Sequence, residues 1–300
     1  MYKVAWNERY CHPLPEHHRF PMEKYNLLPQ QLLYEGTITA NQIFSPEPAG
    51  EHDILLCHTA DYLQKLNERN LTAAEVRRTG FPLSEELVAR EKVIVQGTID
   101  AAMHALKDGV AFNIAGGTHH AFSDRGEGFC LLNDAAVAAH VLLKNKLAKR
   151  ILMLDLDVHQ GNGTASIFMH HPEVFTFSMH GRKNYPLQKE QSDLDIELED
   201  GTDDTTYLEL LKEHLASVMQ HFNPDFIFYQ SGVDILDADQ LGRLKVSMEA
   251  CRMRDQLVFE QCKQHQAPVA VTMGGGYAPD IKTIVNAHAN TYRMARDIFF

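Results

Sequence analysis

Three hundred residues with 44% hydrophobic and 23% charged content are enough for a large buried core and exclude wholesale disorder. Lys and Arg number 28 against 40 Asp and Glu, a net charge of −12, which argues against direct nucleic-acid binding and anionic membrane surfaces while permitting a cationic substrate. Five cysteines without a CxxC pair argue against a disulfide framework or a cysteine-zinc site and point to a reducing compartment.

The first eight residues contain no apolar core of signal-peptide length. No window approaches 18 uncharged apolar residues, so no membrane span is expected. A cytoplasmic location follows, with a nuclear one open for a eukaryotic source. Residues 3–6 read as a first strand. Cys11 to Pro21 carries three prolines and three histidines and reads as an ordered loop near a site or on the surface. Residues 22–33 and 58–67 read as helices. Residues 68–82 read as a charged loop, with Arg77-Arg78 a solvated pair and a place at a pocket rim as the alternative. Residues 85–107 have helical apolar spacing and stop at Asp108-Gly109.

From there the pattern alternates. Strands are expected at 110–115, 151–154, 174–179, 226–229 and 269–273, and helices at 133–147, 204–221, 248–265 and 279–296. Such alternation implies right-handed crossovers and an α/β fold: one domain, residues 1–300, with a mostly parallel, doubly wound sheet and helices on both faces.

The central stretch is Arg150-Ile-Leu-Met-Leu-Asp-Leu-Asp-Val-His-Gln-Gly-Asn-Gly163. Its apolar run suits a strand buried on both faces. Asp155, Asp157 and His159 follow at every second position, on one face if the strand continues, about 6 to 7 Å apart along the chain. Asp157 and His159 can then converge on one ion, with Asp155 behind them. Gly161 and Gly163 would let the backbone turn away. Carboxylate with imidazole suits zinc or a similar divalent ion; the alternative is an Asp-rich strand end whose carboxylates cap the next helix.

Each unusual polar cluster follows an apolar strand: His119-His120, Asp155 to His159, Asp234 and Tyr277. In open parallel sheets the ligand crevice lies outside the carboxyl ends of the strands, so these clusters are expected to meet. Together they would supply three metal ligands with an open position, two imidazoles for acid and base work, and a phenol for a developing oxyanion.

The sequence resembles the histone deacetylase family, the zinc-dependent lysine deacylases related to acetylpolyamine amidohydrolases. The resemblance rests on Gly116-Gly-Thr-His-His120, Gly128-Phe-Cys-Leu-Leu-Asn-Asp134, Asp155 to Gly163, Ser231-Gly-Val-Asp234 and Gly274-Gly-Gly-Tyr277, in family order across nearly the whole chain. His18-Arg-Phe-Pro-Met-Glu-Lys-Tyr25, the stretch from Asp203 to Leu210, and Asp234 to Arg243 look most like the class IV branch and its bacterial relatives. The resemblance implies catalytic zinc on Asp157, His159 and Asp234. It makes His120 the general base and then the acid, with His119 its partner bonded to Asp155, and gives Tyr277 the oxyanion. Gly128 and Phe129 would line an acyl-lysine tunnel, with Leu241 near its floor or rim. It also implies a structural potassium ion on Asp155, Asp157, His159 and Ser178, and more weakly a second ion near Phe168 and Val174. The substrate would be an acyl-lysine protein or peptide, carrying acetyl or a longer fatty-acyl group, or an acetylated polyamine.

Two departures stand out. Asn162 replaces the Asp that many members place behind the base histidine; an amide orients His120 but stabilises its imidazolium less, so Asn162→Asp is expected to raise the His120 pKa. The glycine run before Tyr277 has three residues where many relatives have four, a mark of the class IV branch. Ureohydrolases share the fold but use an Asp-x-His-x-Asp strand end; Gly161 stands in the last position here, which argues for one catalytic metal. A non-catalytic acyl-lysine binder is the remaining alternative, against which stand Tyr277, both histidines and all three ligands.

Overall fold

A computed structural model describes residues 1–300. Eight strands form one sheet, all parallel: β1 (Lys3–Ala5), β2 (Ile43–Phe44), β3 (Val110–Asn113), β4 (Ile151–Asp155), β5 (Val174–Gly181), β6 (Leu194–Leu198), β7 (Phe226–Gln230) and β8 (Val269–Thr272). Their spatial order is β2-β1-β3-β8-β7-β4-β5-β6. Every residue of β3, β4, β7 and β8 is buried, which requires cover on both faces and explains their unbroken apolar runs. The edges are the two-residue β2 and the half-exposed β6, a usual way to blunt an unpaired ladder.

Ten α-helices accompany the sheet: α1 (Lys24–Tyr34), α2 (Glu51–Ile54), α3 (Ala60–Asn67), α4 (Ala73–Thr79), α5 (Glu85–Asp108), α6 (Asp134–Lys144), α7 (Asn162–Phe168), α8 (Asp204–His221), α9 (Met248–Gln264) and α10 (Ile281–Phe299). Helices α5 and α6 pack together, with α5 against β1, β3 and β8; α1, α10, α9 and α8 form a second packed series. The long helices begin where a side chain satisfies a free backbone N–H: Ser84 for α5, Asn133 for α6, Asp203 for α8 and Ser247 for α9. Helix α5 stops at Gly109, whose φ of 87° suits glycine.

Four expectations are corrected. Residues 68–82 are not a loop throughout: Thr72 and Glu75 form a reciprocal capping box that starts α4. Strands β2 and β6 and helices α2 and α7 were not anticipated. The strand carrying the central stretch ends at Asp155, so Asp157 and His159 lie on the loop beyond it rather than on a strand face. Gly161 does centre a sharp turn, the Asn162 N–H donating to the Gln160 carbonyl at 2.8 Å across it, but its φ of −71° is open to other residues and Gly163 sits inside α7; both glycines are required by space. A Cβ on Gly163 would lie 2.3 Å from the Ala121 carbonyl oxygen, and one on Gly161 2.4 Å from an Asp155 carboxylate oxygen.

Candidate active site

The four central strands, β3, β8, β7 and β4, each release one polar cluster at their carboxyl ends, and all four meet. The Oδ1 of Asp157 lies 3.0 Å from His159 Nδ1, and Asp234 Oδ2 lies 3.1 Å from the same nitrogen. One ligand atom from each of these residues falls within 4.8 Å of the others. Their exposures are 1%, 8% and 0%. Two buried carboxylates beside one imidazole demand positive charge: burial opposes it, but Asp157 and Asp234 push the His159 pKa up to about 10. Small neighbours protect this corner. The Gly275 N–H donates to Asp157 Oδ2 at 2.7 Å, and a Cβ on Gly275 would stand 1.9 Å from Asp234 Oδ2. Carboxylate and imidazole donors at this spacing, with no room for a larger residue around them, fit a divalent ion such as zinc.

Beside the trio stand two imidazoles with unlike surroundings, their ring centres 4.0 Å apart. His119 donates from Nδ1 to Asp155 Oδ2 at 2.6 Å. Burial disfavours its charged form, yet Asp155 outweighs burial and raises its pKa. His120 donates from Nδ1 to the Asn162 amide oxygen at 2.7 Å. Burial, then His119 and His159, hold its pKa well below the usual imidazole range, and the neutral amide does little against them. The Asn162 side chain is itself tied to Glu127. With Nδ1 so engaged, His120 keeps Nε2 as a free acceptor.

Above the imidazoles a cleft of about 430 Å³ is lined by His120, Gly128, Phe129, His159, Leu241 and Tyr277, among others. The Tyr277 ring stands 6.3 Å from the His159 ring, and burial with Asp234 and Asp157 keeps its phenol protonated well above its ordinary range. Phe129 adopts φ 69°. Gly128 before it is obligatory, because a Cβ there would lie 2.7 Å from the His120 ring. A further space of about 40 Å³, lined by Tyr25, Gly117, Thr118 and Cys130, shares His120, His159 and Tyr277 with the cleft. Asp155 and Ser178 are register partners on adjacent strands, both buried, with Asp157 and His159 on the loop that follows.

The expected site residues are thus brought together. The Cys11–Pro21 segment also lies at the site: Phe20 meets Phe129 and Tyr277 edge-on at 5.2 and 6.0 Å. Arg77 and Arg78 line the mouth of the cleft, so the rim alternative holds. Two participants were not found from sequence. Lys24 is fully buried; its ammonium donates to the Gly274 carbonyl at 3.1 Å and faces Phe20, Tyr25 and Tyr277. Burial lowers its pKa to about 8 against the pull of Asp234, Asp157 and Asp239. Arg254, also fully buried, reaches from α9 to the carbonyls of Gly232 and Ser231 and pairs with Asp255, bracing the loop that carries Asp234. Nothing local marks either residue, since the carbonyls they bind lie on other elements.

An open parallel sheet whose strand ends converge on a carboxylate–imidazole trio with two further imidazoles and a phenol has the form of a hydrolytic α/β cleft. Residues 18–292 match the histone deacetylase domain, and the chain belongs to that family of amide hydrolases. It is 44% identical to an uncharacterised protein of Picosynechococcus over 99% of both chains. It is 31% identical to histone deacetylase 2 of Arabidopsis thaliana, covering 87% of this chain and 70% of that one. The solved structure of a histone deacetylase homologue from Aquifex aeolicus superposes with a TM-score of 0.85 at 26% identity, over 98% of this chain and 84% of the other. No helix is long and apolar enough to cross a membrane.

Proposed function

We propose that the cleft hydrolyses the side-chain amide of an acyl-lysine, with zinc held by Asp157, His159 and Asp234. The observation that carries this reading is the convergence of those three ligands with His120 and Tyr277 at the ends of four adjacent strands. Zinc bound there would supply Lewis acidity toward the amide carbonyl and acidify the attacking water.

The rest of the chemistry belongs to the chain's own residues. His120, neutral and oriented by Asn162, takes a proton on Nε2 as water adds to the carbonyl. Tyr277 donates its O–H to the carbonyl oxygen as negative charge develops. His119, bonded to Asp155, which raises its pKa, stands against the His120 ring and helps to position it. His120 then returns its proton to the lysine nitrogen as the C–N bond breaks, leaving a carboxylate and a free amine. Phe129 and Leu241 give the lysine stem an apolar wall. A structural potassium ion is assigned to Asp155, Asp157, His159 and Ser178, where adjacent strands place two buried oxygen-bearing side chains in register; it takes no part in the steps above.

Acetyl is the acyl group this reading takes first: the space beside the trio is about 40 Å³, room for a few waters at about 10–15 Å³ each on the same measure. The test is turnover by zinc-loaded protein of one lysine peptide carrying acetyl through myristoyl groups, alongside N-acetylputrescine, with Tyr277→Phe as control. Turnover of the acetyl peptide that is lost in the variant supports the reading. Preference for acetylputrescine would replace the protein substrate with a polyamine. Tight peptide binding without turnover would make this a binder.

A further inference from the structure

The mouth of the cleft carries charge of one sign. Arg19, Arg77, Arg78, Lys183 and Arg243 line it, and no carboxylate does. All five are exposed. They come from four separate segments: the loop before α1, helix α4, the loop after β5 and the loop after β7. Their gathering is therefore a property of the fold and not a local charge run. Lys183 and Arg243 share a single carboxylate, Asp200, at 3.5 and 3.4 Å. Arg77 and Arg78 have no ion-pair partner, and Arg19 only lies over the Phe129 ring at 5.3 Å. Glu127 is engaged by Arg125, Tyr185 and Asn162.

This positive rim sits on a chain of net charge −12. The body repels an acidic partner while the mouth attracts it, which concentrates and orients such a partner at the cleft. Guanidinium groups match carboxylates in two-point geometry. We propose that the rim selects acyl-lysines set in an acidic peptide segment, recognising Asp and Glu side chains on either side of the lysine. The proposal rests on the acyl-lysine reading above. A peptide fits the arrangement because the cations surround the opening. With the lysine stem in the cleft, flanking residues spaced about 3.3 Å apart cross the rim on both sides. Lysine-rich segments and polyamines meet repulsion at the same place, so the overall negative charge does not make the site a polycation receptor.

Three acetyl-lysine peptides that differ only in their flanks (Glu and Asp, Ala and Gly, or Lys and Arg) decide the matter. At low salt the acidic peptide should exceed the neutral one in kcat/KM by on the order of ten-fold, through KM, with the basic peptide lowest. The spread should shrink toward physiological salt, where screening acts over about 8 Å. In the doubly substituted R77E/R78E protein the order should reverse. The ratio between peptides within one preparation is the readout, which partial misfolding does not alter. Equal kcat/KM for all three at low salt, or preference for the basic peptide, overturns the proposal while leaving the hydrolase reading intact. If no peptide is hydrolysed, the acyl-lysine reading fails, and peptide affinities by fluorescence anisotropy still judge the rim: tighter binding of the acidic peptide upholds it, and equal binding ends it.

Discussion

The floor of the cleft gathers carboxylates and its mouth gathers cations, and the two sets of charges differ in kind. On the floor, Asp155, Asp157 and Asp234 are almost wholly removed from water. At the mouth, Arg77, Arg78 and their neighbours are exposed. A buried charge interacts strongly, must be matched by a partner and cannot be deleted cheaply. An exposed one is screened and contributes less than about 1 kcal/mol per pair. The floor therefore governs whether chemistry occurs, and the mouth governs which partner arrives.

The comparison can be broken at its deepest point first. Asp234→Asn should abolish stoichiometric zinc uptake, measured by metal analysis of the loaded protein, and reduce turnover by roughly a thousand-fold or more. Full zinc content in that variant would show that the trio is not the metal site. Tyr277→Phe, one shell higher, should lower kcat by roughly 10²–10³ with KM little altered; a change confined to KM would reassign the phenol to substrate binding.

Two milder changes sharpen the contrast. Asn162→Asp should raise the pKa of His120, because a carboxylate stabilises the imidazolium and an amide does not. Since the base must be neutral, the acid limb of the pH–rate profile should move to higher pH, and an unmoved limb would count against Asn162 as its orienting partner. Behind the floor, His58 accepts the backbone N–H of Asn133 at 2.9 Å, and burial lowers its pKa to about 4. Its folded pKa lies below the unfolded value near 6.5. Its stabilising contribution is therefore complete above about pH 6.5 and is lost as pH falls toward 4, by about 3 kcal/mol at most. Urea unfolding of wild type and His58→Gln should give a stability gap that narrows from pH 8 to pH 5. A constant gap would mean that His58 is not held neutral.

Much of this was readable in the order of residues, for identifiable reasons. The unbroken apolar runs of β3, β4, β7 and β8 reveal strands buried on both faces, and the polar clusters after them locate the crevice. The unread elements were those whose signal is short or lies at an edge. Leu194-Asp-Ile-Glu-Leu198 does alternate, but five residues on an edge give little to read. Thr72 and Glu75 have capping-box spacing inside a stretch whose arginines suggested a loop. Lys24 and Arg254 could not be recognised as buried, because the backbone carbonyls they bind lie elsewhere in sequence: Lys24 bonds Gly274, 250 positions away, and Arg254 bonds Gly232, 22 positions away. The positive rim was invisible for the same reason, being collected from four segments, of which only Arg77-Arg78 form a local cluster.

The strand order has a consequence for synthesis. Strand β8 is made last yet lies between β3 and β7. Until it leaves the ribosome, the growing chain holds two half-sheets, β2-β1-β3 and β7-β4-β5-β6, each with an open edge at what becomes the centre of the protein. The Gly275 N–H that holds Asp157, and Tyr277 with it, follow directly after that strand. A nascent chain therefore lacks a finished site until Tyr277 has been made. By then the β3 edge has waited since residue 113 and the β7 edge since residue 230, the interval in which a chaperone protects most against edge-to-edge association.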